Sequence, residues 1–180
     1  MSWNIFLALI PVAMAQVLKY QKNIIIQLAT LSVWLLFLPN TLYLITDGMY
    51  VFSEEFGNMH IFGMSLGVLL YAIIVAHAPY TYYWALAPVI NKYKKQILNL
   101  HFFYKSALVV LFSFTVALGV TMGRFARTNS WYVFTQPLRT VNDIFISLFS
   151  KETTLFLSCF FIGIFVFNML MLRRATAGKQ

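Results

Sequence analysis

The chain has 180 residues, of which 61% are hydrophobic and 10% charged, with a formal net charge of +8. A water-soluble domain carries about 25% charged residues to cover its surface, so this composition, with a mean hydropathy of +0.76, excludes one. The apolar content excludes disorder, and the single cysteine, Cys159, excludes an intramolecular disulfide scaffold. What remains is an all-α integral membrane protein, long enough for about five transmembrane helices of roughly 20 residues each.

The first apolar stretch, Trp3 to Leu18, reaches about 24 Å, a little short of a ~30 Å hydrocarbon core. It contains Ala13-Met14-Ala15, which mimics a signal-peptidase site, but no basic residue precedes it, so it reads as an uncleaved span. The second stretch, Ile24 to Ile45, is interrupted by Pro39-Asn40, which should kink or unwind it near its far end. The third runs from about Ile61 to Ala78, where Pro79 precedes Tyr80, Tyr82, Tyr83 and Trp84. These aromatics read as an interfacial belt, continued to Ile90 along the membrane surface.

The fourth stretch is about His101 to Met122 and the fifth about Thr153 to Leu172. Between them, Pro137 to Phe149 sets Leu138, Val141, Phe145 and Leu148 at helical spacing, with Arg139, Asn142 and Asp143 on other faces. That is the pattern of a short interfacial helix, near 137–149; an ordered loop with apolar contacts is the alternative. No repeat or linker divides the chain, so residues 1–180 form one helical membrane domain.

Basic residues in short loops mark the cytoplasmic side. Lys19 and Lys22, Lys92, Lys94 and Lys95, and the tail residues Arg173, Arg174 and Lys179 fall on one side if there are five spans. The amino terminus is then outside and the carboxyl terminus inside. The loop from Thr46 to His60, with Asp47, Glu54 and Glu55 and no basic residue, fits the outside. Arg124, Arg127, Arg139 and Lys151 run against the bias. Beside an acidic loop on the same face they suggest an outer polar site, although Arg124 and Arg127 could equally bind lipid phosphates at the headgroup layer.

Two motifs could build that site. If helix resumes after Pro39, then Asn40, Tyr43 and Asp47 fall at i, i+3 and i+7 and share a face. Such a polar stripe is costly in lipid unless it faces protein or water; the plain alternative is that Pro39-Asn40 ends the span and Asp47 is solvated. In the second motif, continued helix would place Arg124, Arg127 and Trp131 on one face, where paired guanidinium groups could grip a phosphate or carboxylate or neutralise Asp47. Gly119 and Gly123 form a small-xxx-small pair, as do Gly63 and Gly67, which permits contact between the outer ends of spans three and four.

Trp3-Asn4-Ile5-Phe6-Leu7-Ala8 followed by Pro11, Trp34-Leu35-Leu36-Phe37-Leu38-Pro39-Asn40 with Tyr43 and Thr46-Asp47, and Gly123-Arg124-Phe125 with Arg127, Asn129-Ser130-Trp131 and Pro137 together resemble a bacterial multi-pass membrane family, domain of unknown function 1361. The resemblance covers nearly the whole chain in order. It implies a small bacterial membrane protein and no established activity. Two positions depart from the family pattern: Leu42 stands where proline is usual, and Tyr132 where aspartate is usual, which puts in doubt any catalysis that depends on that aspartate.

Asp47, Glu54, Glu55 and His60 match no established metal-ligand spacing and read as a hydrated acidic loop. His77 reads as a hydrogen-bonded structural histidine, His101 as an interfacial residue beside Lys105, and Cys159 as an apolar packing residue. No phosphate-cradling glycine loop, zinc-protease helix or serine elbow is present.

The leading reading is a binding or partner-docking module in the bacterial cytoplasmic membrane, with an extracytoplasmic site for an anionic lipid or glycolipid headgroup. Arg124 and Arg127 would hold the anion, Asp47 would order them, and Asn40, Tyr43, Asn129 and Trp131 would shape the pocket. The alternative is a membrane enzyme acting on a lipid-linked or cell-envelope substrate, with Asp47 as general base. A transporter or channel subunit has little support, because no charge lies near the middle of a span. No cofactor or metal is expected; the expected partners are membrane lipid and a membrane protein, not nucleic acid, since orientation and anionic lipid account for the basic balance.

Orientation is directly measurable. With Cys159→Ala as background, cysteines at Asn58 and Thr128 are expected to react with an impermeant thiol reagent in intact cells, and one at Lys95 to be protected. The reverse pattern would invert the topology.

Overall fold

A computed structural model describes residues 2–47 and 61–177. Its regular elements are helices: α1 (Ser2–Tyr20), α2 (Ile24–Phe37), α3 (Pro39–Asp47), α4 (Ile61–Asn99), α5 (Phe102–Phe125), α6 (Tyr132–Thr135), α7 (Pro137–Phe149) and α8 (Lys151–Ala177). Among the described residues four stretches are long and apolar enough to cross a membrane: Trp3–Tyr20, Ile24–Thr46, Phe102–Phe125 and Lys151–Ala175. The all-α membrane fold expected from composition is the one observed. Glu54, Glu55, His60 and Lys179 lie outside the described residues.

α1 packs on α2, α3 and α4; α3 also packs on α5, and α5 on α8. The main core gathers Trp34, Leu38 and Leu42 from the second stretch, Tyr82, Ala85 and Leu86 from α4, Val116, Ala117 and Val120 from α5, and Leu157 and Ile164 from α8. Alanines at the contacts let the helix backbones approach closely, which matters where lipid offers no hydrophobic drive for association. Trp34 stacks on Phe112 with centroids 5.8 Å apart and donates its indole N–H to the Ala85 carbonyl at 2.9 Å.

The second stretch divides into α2 and α3 at Pro39, whose missing N–H and ring disturb the helical ladder there. The Thr41 N–H turns to the Leu38 carbonyl at 3.1 Å, a tighter bond than the helical one. The Phe37 carbonyl accepts instead from the Asn40 side-chain amide at 3.1 Å, and the Thr41 hydroxyl adds a second bond to Leu38. Backbone acceptors loosened by proline are thus met by the side chains that follow it.

α4 differs from expectation. It runs through Pro79 and Pro88 as one helix. Of the aromatic run, Tyr80, Tyr83 and Trp84 face outward, while Tyr82 is buried in the bundle. The Tyr71 hydroxyl reaches the Ile45 carbonyl, and the Tyr93 hydroxyl reaches Gln27 Oε1. Those two residues are about 33 Å apart along the helix, so contacts of α4 to the bundle continue well past Ala78, the expected end of the third stretch. At its far end, Lys92 donates to the Leu18 and Gln21 carbonyls, capping the end of α1.

The glycine pair of α5 also meets a different partner. A Cβ on Gly119 would lie 2.5 Å from Pro39 Cγ, and one on Gly123 would lie 3.0 Å from the Tyr43 ring. These glycines receive α3 of the second stretch, not α4. A polar chain missed in the sequence crosses the core: the Tyr82 hydroxyl donates to Asn168 Oδ1 at 3.1 Å, and Asn168 Nδ2 donates to Ser113 Oγ at 2.9 Å. It ties α4, α5 and α8 together where no water competes.

Gly119→Ala is expected to lower thermal stability in detergent by about 1–3 kcal/mol through overpacking against Pro39. Gly163→Ala, whose Cβ would meet nothing within 4 Å, is expected to leave the melting temperature unchanged or slightly raised. A melting curve of each variant checks both.

Candidate functional site

The seating of Pro39 and Tyr43 on the two glycines runs α3 alongside the last two turns of α5, with both helices ending at the same face of the bundle. Asn40 is then one turn from the loop that follows α5, and its side-chain amide donates to Ser130 Oγ at 3.0 Å. This bond joins the two motifs singled out in the sequence.

α5 ends at Phe125, and Arg127 leaves the helix with φ 51°. Glycine usually holds this left-handed position after a helix, because a side chain there costs about 1–2 kcal/mol. The Thr128 N–H folds back to the Met122 carbonyl at 3.3 Å, closing the turn. Because the chain turns here, Arg124 and Arg127 do not share a helical face.

The turn is held from below by α7. This helix is amphipathic, but its polar side faces inward: Thr140, Asp143 and Ser147 are buried, while Leu138, Val141, Phe145 and Phe149 are exposed. A helix at a membrane surface can present apolar residues to lipid and keep polar ones for the protein. Asp143 accepts a hydrogen bond from the Thr128 hydroxyl at 2.6 Å and lies 3.7 Å from Arg139 Nε. Arg139 also donates to Gln136, and its guanidinium lies 4.8 Å from the Tyr132 ring centroid. Tyr132, the departure from the family pattern, thus has a defined place against a cation.

Together α1, α2, α3, α5, the loop and α7 enclose a half-open cavity of about 1060 Å³. Asn4, Asn40, Tyr43, Arg127, Thr128, Asn129, Ser130 and Thr140 supply its polar lining, and Leu35, Leu36, Leu118 and Met122 are among its apolar walls. One cation at the mouth, surrounded by amides and hydroxyls, can bind an anion through charge-assisted hydrogen bonds.

Of the residues expected to form the site, Asn40, Tyr43, Arg127 and Asn129 line this one cavity. Arg124 is half-buried and does not line it. Trp131 sits outside it, edge-on to Trp3 with centroids 6.4 Å apart, so it pins the loop to α1. Asp47 ends α3, and its side chain lies outside the described residues. Sequence reasoning missed Thr128, Ser130 and Asp143 as parts of the assembly. The signal for Asp143 was its i, i+3, i+7 spacing with Thr140 and Ser147. Among the described residues, no group of at least three His, Cys, Asp or Glu side chains is placed to hold a metal.

Two further candidates stand apart. His77 Nδ1 lies 2.9 Å from the Ile73 carbonyl one turn back, and His101 caps the start of α5. Cys159 is exposed on α8, at the edge of an apolar crevice of about 340 Å³ between α3, α4 and α8.

The model of a family described as protein of unknown function, DUF1361, matches residues 3–168. No curated protein and no solved structure matches the chain.

The left-handed turn makes a stability measurement informative. Arg127→Gly is expected to be more stable than Arg127→Ala by about 1 kcal/mol, because only glycine relieves the positive φ. Equal melting temperatures for the two variants would count against a strained turn.

Proposed function

The chain belongs to the DUF1361 family, and on that premise we propose that it is a membrane-embedded binding module whose polar site takes an anionic lipid or glycolipid headgroup. The observation that carries this reading is the cavity of about 1060 Å³ into which α3 and the α5–α6 loop bring Arg127, Asn40, Asn129 and Ser130. Arg127 supplies the charge, now without Arg124 as a second arm of a clamp. Asn40 and Ser130, bonded to each other, fix the wall opposite. Asp143 acts at one remove, holding Thr128 and so the turn that presents Arg127. The distribution of basic residues supports placing the site at the outer face of the membrane, and the family resemblance is what suggests a bacterial cytoplasmic membrane.

The enzyme alternative draws less from the geometry. Its expected base, Asp47, has its side chain outside the described residues, and Asp143, the carboxylate beside the turn, is engaged by Thr128 and Arg139, which suits a structural role better than a general base.

A photocrosslinker at Val133, which lines the cavity while leaving Arg127 intact, is expected to capture anionic lipid in preference to zwitterionic lipid. The same group at Ile162, exposed on α8, should show no preference. Arg127→Ala should reduce the preference at Val133 about fivefold, the factor that corresponds to one surface cation near an anionic leaflet. Indistinguishable labelling at Val133 and Ile162 would sink the proposal.

A further inference from the structure

We infer that the cavity takes a membrane lipid lengthwise, with one hydrocarbon chain lying in the trench between α2 and α5 below the polar mouth. This rests on the anionic-headgroup reading and adds the part of the ligand that a headgroup does not explain. The cavity does not stop at Arg127 and Asn129. It continues to Ser32 on α2 and Thr115 on α5. Thr115 is two turns below Gly123, so the trench descends about 12 Å toward the middle of the membrane.

Polarity falls along that descent. The mouth is amide, hydroxyl and guanidinium; the walls below it are Leu35, Leu36 and Leu118. Ser32 and Thr115 look like exceptions, but their hydroxyls donate to the carbonyls of Leu28 at 3.0 Å and Leu111 at 2.9 Å. Each hydroxyl hydrogen is committed to its own helix, so the lower trench offers a ligand no free donor. A soluble phosphate would fill only the mouth and make no use of the apolar walls below it. A hydrocarbon chain covers those walls with matching surface.

The path of entry agrees. Ser32, Leu35 and Thr115 are all exposed on the flank of the bundle, so the trench opens sideways toward the bilayer. A chain can slide in from the hydrocarbon region while its headgroup stays at the polar end. Charge complementarity selects the occupant: the cation at the mouth favours an anionic lipid over a zwitterionic one with the same chains.

The test uses the full chain in vesicles of phosphatidylcholine containing a minor fraction of phosphatidylglycerol or phosphatidylcholine that bears a photoreactive group in its acyl chain. The phosphatidylglycerol probe is expected to label Leu35, Leu36 and Leu118 about fivefold more than the phosphatidylcholine probe, with no such preference at Ile162. Thr115→Trp and, independently, Leu35→Trp, each checked for an unchanged melting temperature, should abolish trench labelling while the Val133 crosslink to anionic lipid persists. Anionic capture at Val133 with no chain labelling in the trench would overturn this inference and leave the headgroup site standing. Equal labelling by both probes on every lipid-facing side would mean a lipid annulus only, and both proposals would fall.

Discussion

At Gly119 the Pro39 ring occupies the space a methyl group would need, and the end of the bundle that holds the cavity depends on that contact. Proline ends α2, and its ring is the feature that α3 presses against α5. Beyond that contact the cavity continues along Ser32, Leu35 and Leu36 of α2 and Thr115 and Leu118 of α5. One turn on, Tyr43 repeats the contact on Gly123. Asn40, between them in sequence, is thereby held against Ser130. A substitution at Gly119 would therefore disturb packing and cavity together.

Among the described residues, most polar groups inside the bundle are answered by protein, since lipid cannot answer them; Ser147 Oγ, buried on α7, is an exception. Tyr82, Asn168 and Ser113 bond in a chain across three helices. Buried threonines such as Thr41 and Thr121 return their hydroxyls to nearby carbonyls. Asp143 satisfies the same demand with a hydroxyl and a guanidinium. The polar residues Arg127, Thr128, Asn129 and Ser130 at the mouth of the cavity are exposed or half-buried, and a ligand's own polar atoms can contribute there.

The apolar stretches, the break at Pro39 and the helix at Pro137–Phe149 were legible because each rests on local chemistry: hydropathy over twenty residues, a missing N–H, a 3.6-residue period. Beyond the third stretch, hydropathy could not single out which aromatic residue is buried. Tyr82 is polar in composition, yet it is buried through a partner 86 residues away. The glycine pair was correctly seen as a contact surface but matched to the wrong helix, since any small-residue ridge accepts any neighbour. Four of the expected site residues share a cavity, while Arg124 and Trp131 do not line it. Extending α5 as a regular helix could not foresee the turn at Arg127, a residue type with no preference for that conformation. For α7, spacing showed two faces and could not say which of them lipid would see.

The Asn40–Ser130 bond spans 90 residues of sequence, and α3 meets its seat on α5 only after α4 has been made. During vectorial synthesis at about 5–20 residues per second, the proline-broken second stretch must wait on the order of ten seconds for its partner. Through that interval α1 is the neighbour already available to shelter Asn40, Thr41 and Tyr43 from lipid. The α1–α2–α3 hairpin is thus made before the facing wall, and α5, the loop and α7 complete a cavity that the first helices began.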